Sequence, residues 1–249
     1  MNTLQFIGSM ILGLIVGSFL SMLIPRLHED KKGIVAGRSE CPHCHHTLGI
    51  LDLIPLLSYL ALRGRCRYCK KPITAWYPLT ELATALLFGS VFLNTADWIN
   101  FLWLAPLFAV LVFIFFYDLR YKEIHDAVMA PGIVYALFLA WQMGHLQDSL
   151  LGAAIPVAFF GAQYLISKGK WIGSGDLRIG AFMGAMLGWK ATLLALLLSY
   201  ILGSLIGIVL LATKKADGQT AVPLGPFLVL GTLLSFFWSD QLLAFYLSL

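Results

Sequence analysis

The sequence predicts an all-α polytopic membrane protein, with about eight transmembrane helices and a zinc-binding cytosolic loop between the first two. Three observations carry this. Of 249 residues, 59% are hydrophobic and only 12% charged, where a soluble domain is nearer one quarter charged. The apolar residues fall in long unbroken runs, which favours helices over the alternation of a barrel. The basic residues are confined to alternate loops.

A helix needs about 20 apolar residues to cross the hydrocarbon, within a range of roughly 17–25. The first such run is Leu4–Ile24. No Lys or Arg precedes it, as a cleavable secretory signal would require, so it is expected to be a retained helix. After the polar stretch 25–76, the remaining spans are expected at Tyr77–Leu93, Ile99–Tyr117, Ala127–Met143, Leu150–Ser167, Leu177–Trp189, Ala191–Thr213 and Val222 to about Phe245. Sixteen of the seventeen basic residues then lie in alternate loops, nine of them within 25–76, and Lys190 alone lies opposite. Positive loops stay cytoplasmic. The polar stretch should therefore face the cytosol, with both termini periplasmic.

Glycines recur every four residues at Gly180, Gly184 and Gly188, at Gly13 and Gly17, and at Gly203 and Gly207. This spacing lets helix backbones approach closely and reads as bundle packing without chemistry.

The polar stretch carries two CxxC units, Cys41-Pro-His-Cys44 and Cys66-Arg-Tyr-Cys69, with 21 residues between them. That pattern fits a four-cysteine zinc site, since thiolates suit zinc and disulfides rarely persist in the cytosol. Four thiolates leave no open position, so the metal is expected to be structural. His43, His45 and His46 are read as surface residues. A redox CxxC is the competing reading, and two matched pairs in one loop argue against it.

Acids at membrane depth are costly and tend to be functional. Asp118 ends the third expected span, and Asp176 opens the sixth within Gly173-Ser-Gly-Asp176. Both fall at the cytosolic edge, where they could face one another. Paired carboxylates share a proton and can hydrolyse a peptide as acid and base. The bland readings are a dipole-favoured acid at a helix start for Asp176 and a neutralising partner of Arg120 or Lys122 for Asp118. Glu81 is read as a first-turn helix acid.

Several motifs, in one order along nearly the whole chain, resemble the type IV prepilin leader peptidase family. They are Gly13-Leu-Ile-Val-Gly17-Ser-Phe-Leu, Arg38-Ser-Glu-Cys41-Pro-His-Cys44, Ile54-Pro-Leu-Leu-Ser-Tyr-Leu60 and Arg63-Gly-Arg-Cys66-Arg-Tyr-Cys69. Tyr77-Pro-Leu-Thr-Glu81, Gly173-Ser-Gly-Asp176 with the glycines to Gly188, and Pro223-Leu-Gly-Pro-Phe227 complete the series.

The resemblance implies a bacterial inner-membrane aspartic endopeptidase with Asp118 and Asp176 as its catalytic pair. It would remove the basic leader from prepilins or pseudopilins of type IV pili or type II secretion. It also implies N-methylation of the new N-terminus with S-adenosylmethionine, whose binding residues are not indicated. The expected organisation is a first helix (1–24), a four-cysteine loop with the methyltransferase region (25–76) and a peptidase bundle (77–249). Membrane lipid is an expected partner and nucleic acid is not. The rivals are a zinc-containing transporter that uses the acids as ion relays, or an assembly scaffold. Two positions depart from the family: Ile124-His125-Asp126 stands where Ile-Pro-Asp is usual, and Asp52-Leu53-Ile54-Pro55 where Asp-Asn-Ile-Pro is usual.

Overall fold

The computed structural model describes residues 3–29, 37–213 and 222–247. All eight expected spans are helical. The helices are α1 (Thr3–His28), α2 (Leu57–Ala61), α3 (Trp76–Thr95), α4 (Trp98–Tyr121), α5 (Asp126–Gln142), α6 (Leu146–Ser167), α7 (Ser174–Leu187), α8 (Trp189–Ala212) and α9 (Gly225–Leu247). A 3-10 turn at Ile50–Asp52 and two isolated β-bridges accompany them among the described residues. Five helices, α1, α3, α4, α6 and α8, are long and apolar enough to cross a membrane. Their outward faces present large aliphatic side chains, such as Ile11 and Ile15 on α1 and Leu197 and Ile208 on α8. Such faces suit lipid as the surrounding solvent.

The chain divides into two compact units, Met1–Phe113 and Ile114–Leu249. In the first, α1 and α3 run antiparallel at close range. A Cβ on Gly13 would stand 2.6 Å from the Ala85 Cα, and one on Gly17 would stand 2.7 Å from the Glu81 Cα. Both are far inside van der Waals contact, so only glycine permits this approach. Beside this pair, Phe88 and Phe92 meet Phe101 edge-on, at centroid separations of 5.7 and 6.0 Å. That is the geometry aromatic quadrupoles prefer.

In the second unit α7 packs against α5, α6 and α9. Ile179, Phe182 and Met183 on it are wholly buried. With 14 residues it rises about 21 Å, short of the roughly 30 Å hydrocarbon core. Enclosure by protein explains how so short a helix is tolerated. A Cβ on Gly184 would collide with the Gly152 carbonyl of α6, so the α6–α7 crossing rests on a glycine pair. Gly188, at φ 74°, separates α7 from α8. The last expected glycine pair behaves differently: a Cβ on Gly203 would meet the Phe227 ring at 3.5 Å, an ordinary contact, and one on Gly207 would meet nothing within 4 Å.

Three element boundaries shift. Helix α1 runs past Ile24 to His28 with Pro25 inside its last turns. Helix α4 continues one turn beyond Tyr117, so Asp118 stands within the helix and not at its end. Helix α7 starts at Ser174, which puts Asp176 in its first turn. Lys31, Lys32, Lys214 and Lys215 of the charge pattern lie outside the described residues.

Candidate functional site: a paired-carboxylate cavity and a four-cysteine cluster

Asp118 is buried on α4, 6% exposed. Its Oδ2 accepts a hydrogen bond from the Gly225 N–H at 2.9 Å. Gly225 opens α9 after Pro223 and Leu224, so its N–H is one of the donors a helix start leaves without an intrahelical partner. A Cβ at this position would stand 2.5 Å from Asp118 Oδ2. The Pro-Leu-Gly-Pro motif therefore contributes a backbone donor that only glycine can bring this close. The sequence displays the motif, but nothing in it assigns Gly225 a role, because its partner lies 107 positions away.

Asp176 is the third residue of α7, and its Oδ2 accepts from the Gly173 N–H at 3.0 Å. The Gly-Ser-Gly-Asp stretch thus closes as a capped helix start, which fixes the carboxyl group at a helix N-terminus. A Cβ on Gly175 would meet Ile124 Cγ1 at 2.8 Å, so the loop between α4 and α5 lies directly on this turn.

Both carboxyl groups line one cavity of about 560 Å³, together with Lys122, Ile124, Lys170 and Arg178. The fold therefore brings together two acids that are 58 positions apart in the sequence. Of the two cations weighed as its partner, Arg120 has its guanidinium over the Tyr121 ring at 5.1 Å, while Lys122 lines the cavity with Asp118 and acts on it electrostatically. Arg178 instead pairs with Asp126 at 2.6 Å and ties the start of α5 to the start of α7. His125 is not a free loop residue: it is the N-cap of α5, and its Nδ1 accepts from the Ala127 N–H at 3.3 Å. That capping bond fixes the turn at which the family's usual proline would stand.

In the first unit the four cysteines converge, with all four Sγ atoms within 4.8 Å of one another. Cys41 and Cys66 are buried, Cys69 is half-buried and Cys44 is exposed. The two knuckles repeat one local geometry. The Cys41 N–H donates to His46 O and the His45 N–H to Cys41 O, while the Cys66 N–H donates to Lys71 O and the Lys70 N–H to Cys66 O. His45 and Lys70 share a positive φ, 55° and 60°. The bridges Glu40–Thr47 and Arg65–Pro72 close the two turns.

A tetrahedral zinc with bonds of about 2.3 Å places its sulfurs about 3.8 Å apart. Cys41 and Cys69 Sγ lie 3.9 Å apart, so the cluster can hold such an ion. The Cys69 backbone N–H, helped by that of Tyr68 and opposed by burial, brings the Cys66 thiol down to about 7. The Cys44 thiol moves the other way, up to about 11, the lowering by the His46 backbone N–H being outweighed by burial and the neighbouring thiols. His43 and His45 are exposed, and His46 packs on Tyr68 at 3.6 Å, so none replaces a cysteine.

Asp52 braces the cluster. Its carboxylate takes the Arg67 Nε at 2.6 Å, the Tyr68 hydroxyl at 3.2 Å and the Gly49 N–H at 3.2 Å. Burial pushes this carboxyl up, but the Arg67, Gly49 and Tyr68 donors outweigh it and hold it below the ordinary range. Glu81 is not a first-turn acid. It is the sixth residue of α3, buried, and its Oε2 accepts from the Leu56 N–H at 2.8 Å.

Fold and site together define a polytopic helical membrane protein with a paired-carboxylate cavity and a four-thiol cluster. The bacterial peptidase A24 N-terminal domain matches residues 11–95, and the type IV leader peptidase family matches residues 105–208. A protein of Stutzerimonas stutzeri named prepilin leader peptidase/N-methyltransferase is 32% identical, covering 99% of this chain and 95% of that protein. One of the same name from Aeromonas hydrophila is 34% identical, covering 94% and 91%. Another, from Myxococcus xanthus strain DK1622, is 40% identical over 84% of this chain and 64% of its own length. No solved structure matches. The chain belongs to the type IV leader peptidase family.

Proposed function

We propose that the protein is an inner-membrane aspartic endopeptidase that removes the leader from type IV prepilins or pseudopilins, with Asp118 and Asp176 as the catalytic pair. The observation that carries this reading is that two carboxyl groups from distant segments line one cavity. Two adjacent carboxyl groups share a proton. The ionised one accepts a proton from water as the water attacks the scissile carbonyl, and the protonated one donates to the carbonyl oxygen. The Gly225 and Gly173 N–H groups fix the two carboxyl groups in rotation. Lys122 and Lys170 add positive charge at the cavity wall and would hold carbonyl and carboxylate oxygens of the substrate outside its basic leader, while Arg178 on the same wall is paired with Asp126.

The same reading assigns N-methylation of the new N-terminus to the cysteine loop, residues 25–76, and cleavage to residues 77–249. Zinc on Cys41, Cys44, Cys66 and Cys69 would hold the loop's shape. S-adenosylmethionine, when bound, supplies the methyl group. The described residues of the first unit contain no strand–turn–helix cradle for it, so no residue is assigned to that cofactor. The basic loops support a cytosolic cysteine loop, periplasmic termini and eight crossings.

The test is leader release from a purified prepilin by protein in lipid nanodiscs, comparing the parent with Asp118→Asn and Asp176→Asn. Loss of release in both, with metal content retained, is expected. A transporter or scaffold would show no release by the parent protein, and release surviving either substitution would remove that residue from the pair.

A further inference from the structure

Between the two cysteine knuckles, the segment Ile50–Leu60 carries large aliphatic side chains that stand exposed among the described residues. Ile50 is 87% exposed, Leu51 67%, Leu57 65% and Leu60 69%, and Leu53 and Ile54 are also exposed. An apolar patch of this kind marks a surface that meets something other than water.

Its depth is fixed by one hydrogen bond. Leu56, in the middle of the segment, donates to Glu81 Oε2 at 2.8 Å. Glu81 is five residues inside α3, so its Cα lies about 7–8 Å along the helix axis from Trp76. A helical side chain leans toward the helix start. Even so, the reach of a glutamate plus the hydrogen bond returns the Leu56 nitrogen at most to the level of Trp76. Helix α1 gives a second, independent ruler. Gly17 packs directly on Glu81, seven residues before the uncharged run ends at Ile24. Both rulers place Leu56 at or inside the level where α1 and α3 enter the hydrocarbon. Exposed Arg63 and Arg65 follow three and five residues after Leu60, as is usual where a segment meets an anionic lipid surface.

We infer that Ile50–Leu60 is an interfacial anchor, whose leucines and isoleucines enter the acyl-chain boundary of the bilayer and so hold the cysteine cluster against the membrane surface. The partner is phospholipid, with anionic headgroups favoured by the following arginines. The patch is apolar on the loop itself, and the Glu81 bond sets its height, so the anchor needs no other protein. The inference rests on α1 and α3 crossing the bilayer and not on the peptidase assignment.

The test places a benzophenone amino acid at Leu51, Leu57 or Leu60 in the full chain, in nanodiscs of phosphatidylethanolamine and phosphatidylglycerol. Leu86, exposed on the same α3 helix, is the lipid-facing control, and Glu40, exposed beside the first knuckle, is the solvent control. Irradiation should add the mass of one phospholipid at Leu51, Leu57 and Leu60 with a yield comparable to that at Leu86 and well above that at Glu40. Replacing phosphatidylglycerol by phosphatidylcholine should lower the yield at Leu60. A Leu51→Glu, Leu57→Glu double variant that keeps its zinc should lose the adduct at Leu60. Labelling at Leu86 without labelling at Leu51 and Leu57 would overturn the anchor. So would adducts to an added prepilin, or to a second copy of the chain, in place of lipid. Absence of labelling at Leu86 would overturn the membrane crossing on which the anchor depends.

Discussion

Asp118 shows how far a residue's chemistry depends on what it touches. Alone on a helix it is an acid near two cations, but in the folded chain its Oδ2 is held by a backbone donor from the start of another helix. Gly225→Ala should therefore act like a catalytic lesion. The added Cβ would press on the carboxylate, and a shift of order 1 Å costs about 100-fold in rate. Leader-release kinetics with metal content as the folding control would measure this. Under the proposed mechanism Asp118→Asn and Asp176→Asn would remove proton transfer itself, and each should lower the rate about 100- to 10,000-fold. Asp52 yields a pH prediction. Its folded pKa lies below the unfolded value of about 4, so the stability it contributes is fully present above that value and is lost as pH falls through the folded pKa. Hydrogen exchange across residues 64–73 should rise in that acid window, and Asp52→Asn should show the faster exchange already at neutral pH.

At the scale of elements, the contacts that matter are those between helix starts and the loops lying on them. The Arg178–Asp126 pair joins the beginnings of α7 and α5 beside the cavity. Both side chains are substantially exposed, so the pair contributes little to stability, and its effect should lie in placing the loop that carries Ile124. Asp126→Arg or Arg178→Asp alone should raise KM for a prepilin, and the double exchange should recover much of the loss. The α6–α7 crossing is less forgiving, because Gly152 and Gly184 leave no room for a methyl group. Gly184→Leu should cost several kcal/mol through overpacking, or prevent assembly of the second unit, as read by unfolding in detergent.

For the whole molecule, the two compact units predict separable consequences of damage. Chelation, Cys41→Ser or Cys66→Ser should empty the metal site and loosen residues 37–73, measured as zinc stoichiometry and hydrogen exchange. Methyl transfer should fall with the metal, while leader release should be retained in large part, because the paired carboxyl groups and the cavity they line lie wholly within Ile114–Leu249. A proportional loss of both activities would show that the cysteine cluster supports cleavage as well.

The sequence by itself determined the helical membrane class, the eight helical segments, the two matched cysteine pairs and the two acids that the fold brings to one cavity, because apolar run length, charge placement and short motifs are local signals. It also misread particular residues. Glu81 looked like a first-turn acid, since nothing local reveals that the Leu56 N–H needs a buried acceptor. His125 showed only as a departure from the usual proline, since an N-cap is defined by where the next helix begins. Gly225 had no visible role, and Gly207 followed a packing spacing that the fold does not use. These are matters of which surface meets which at long range. Only the tertiary structure decided them, because the partners of a buried carboxylate or a close-packed glycine come from segments whose separation along the chain carries no trace of their contact.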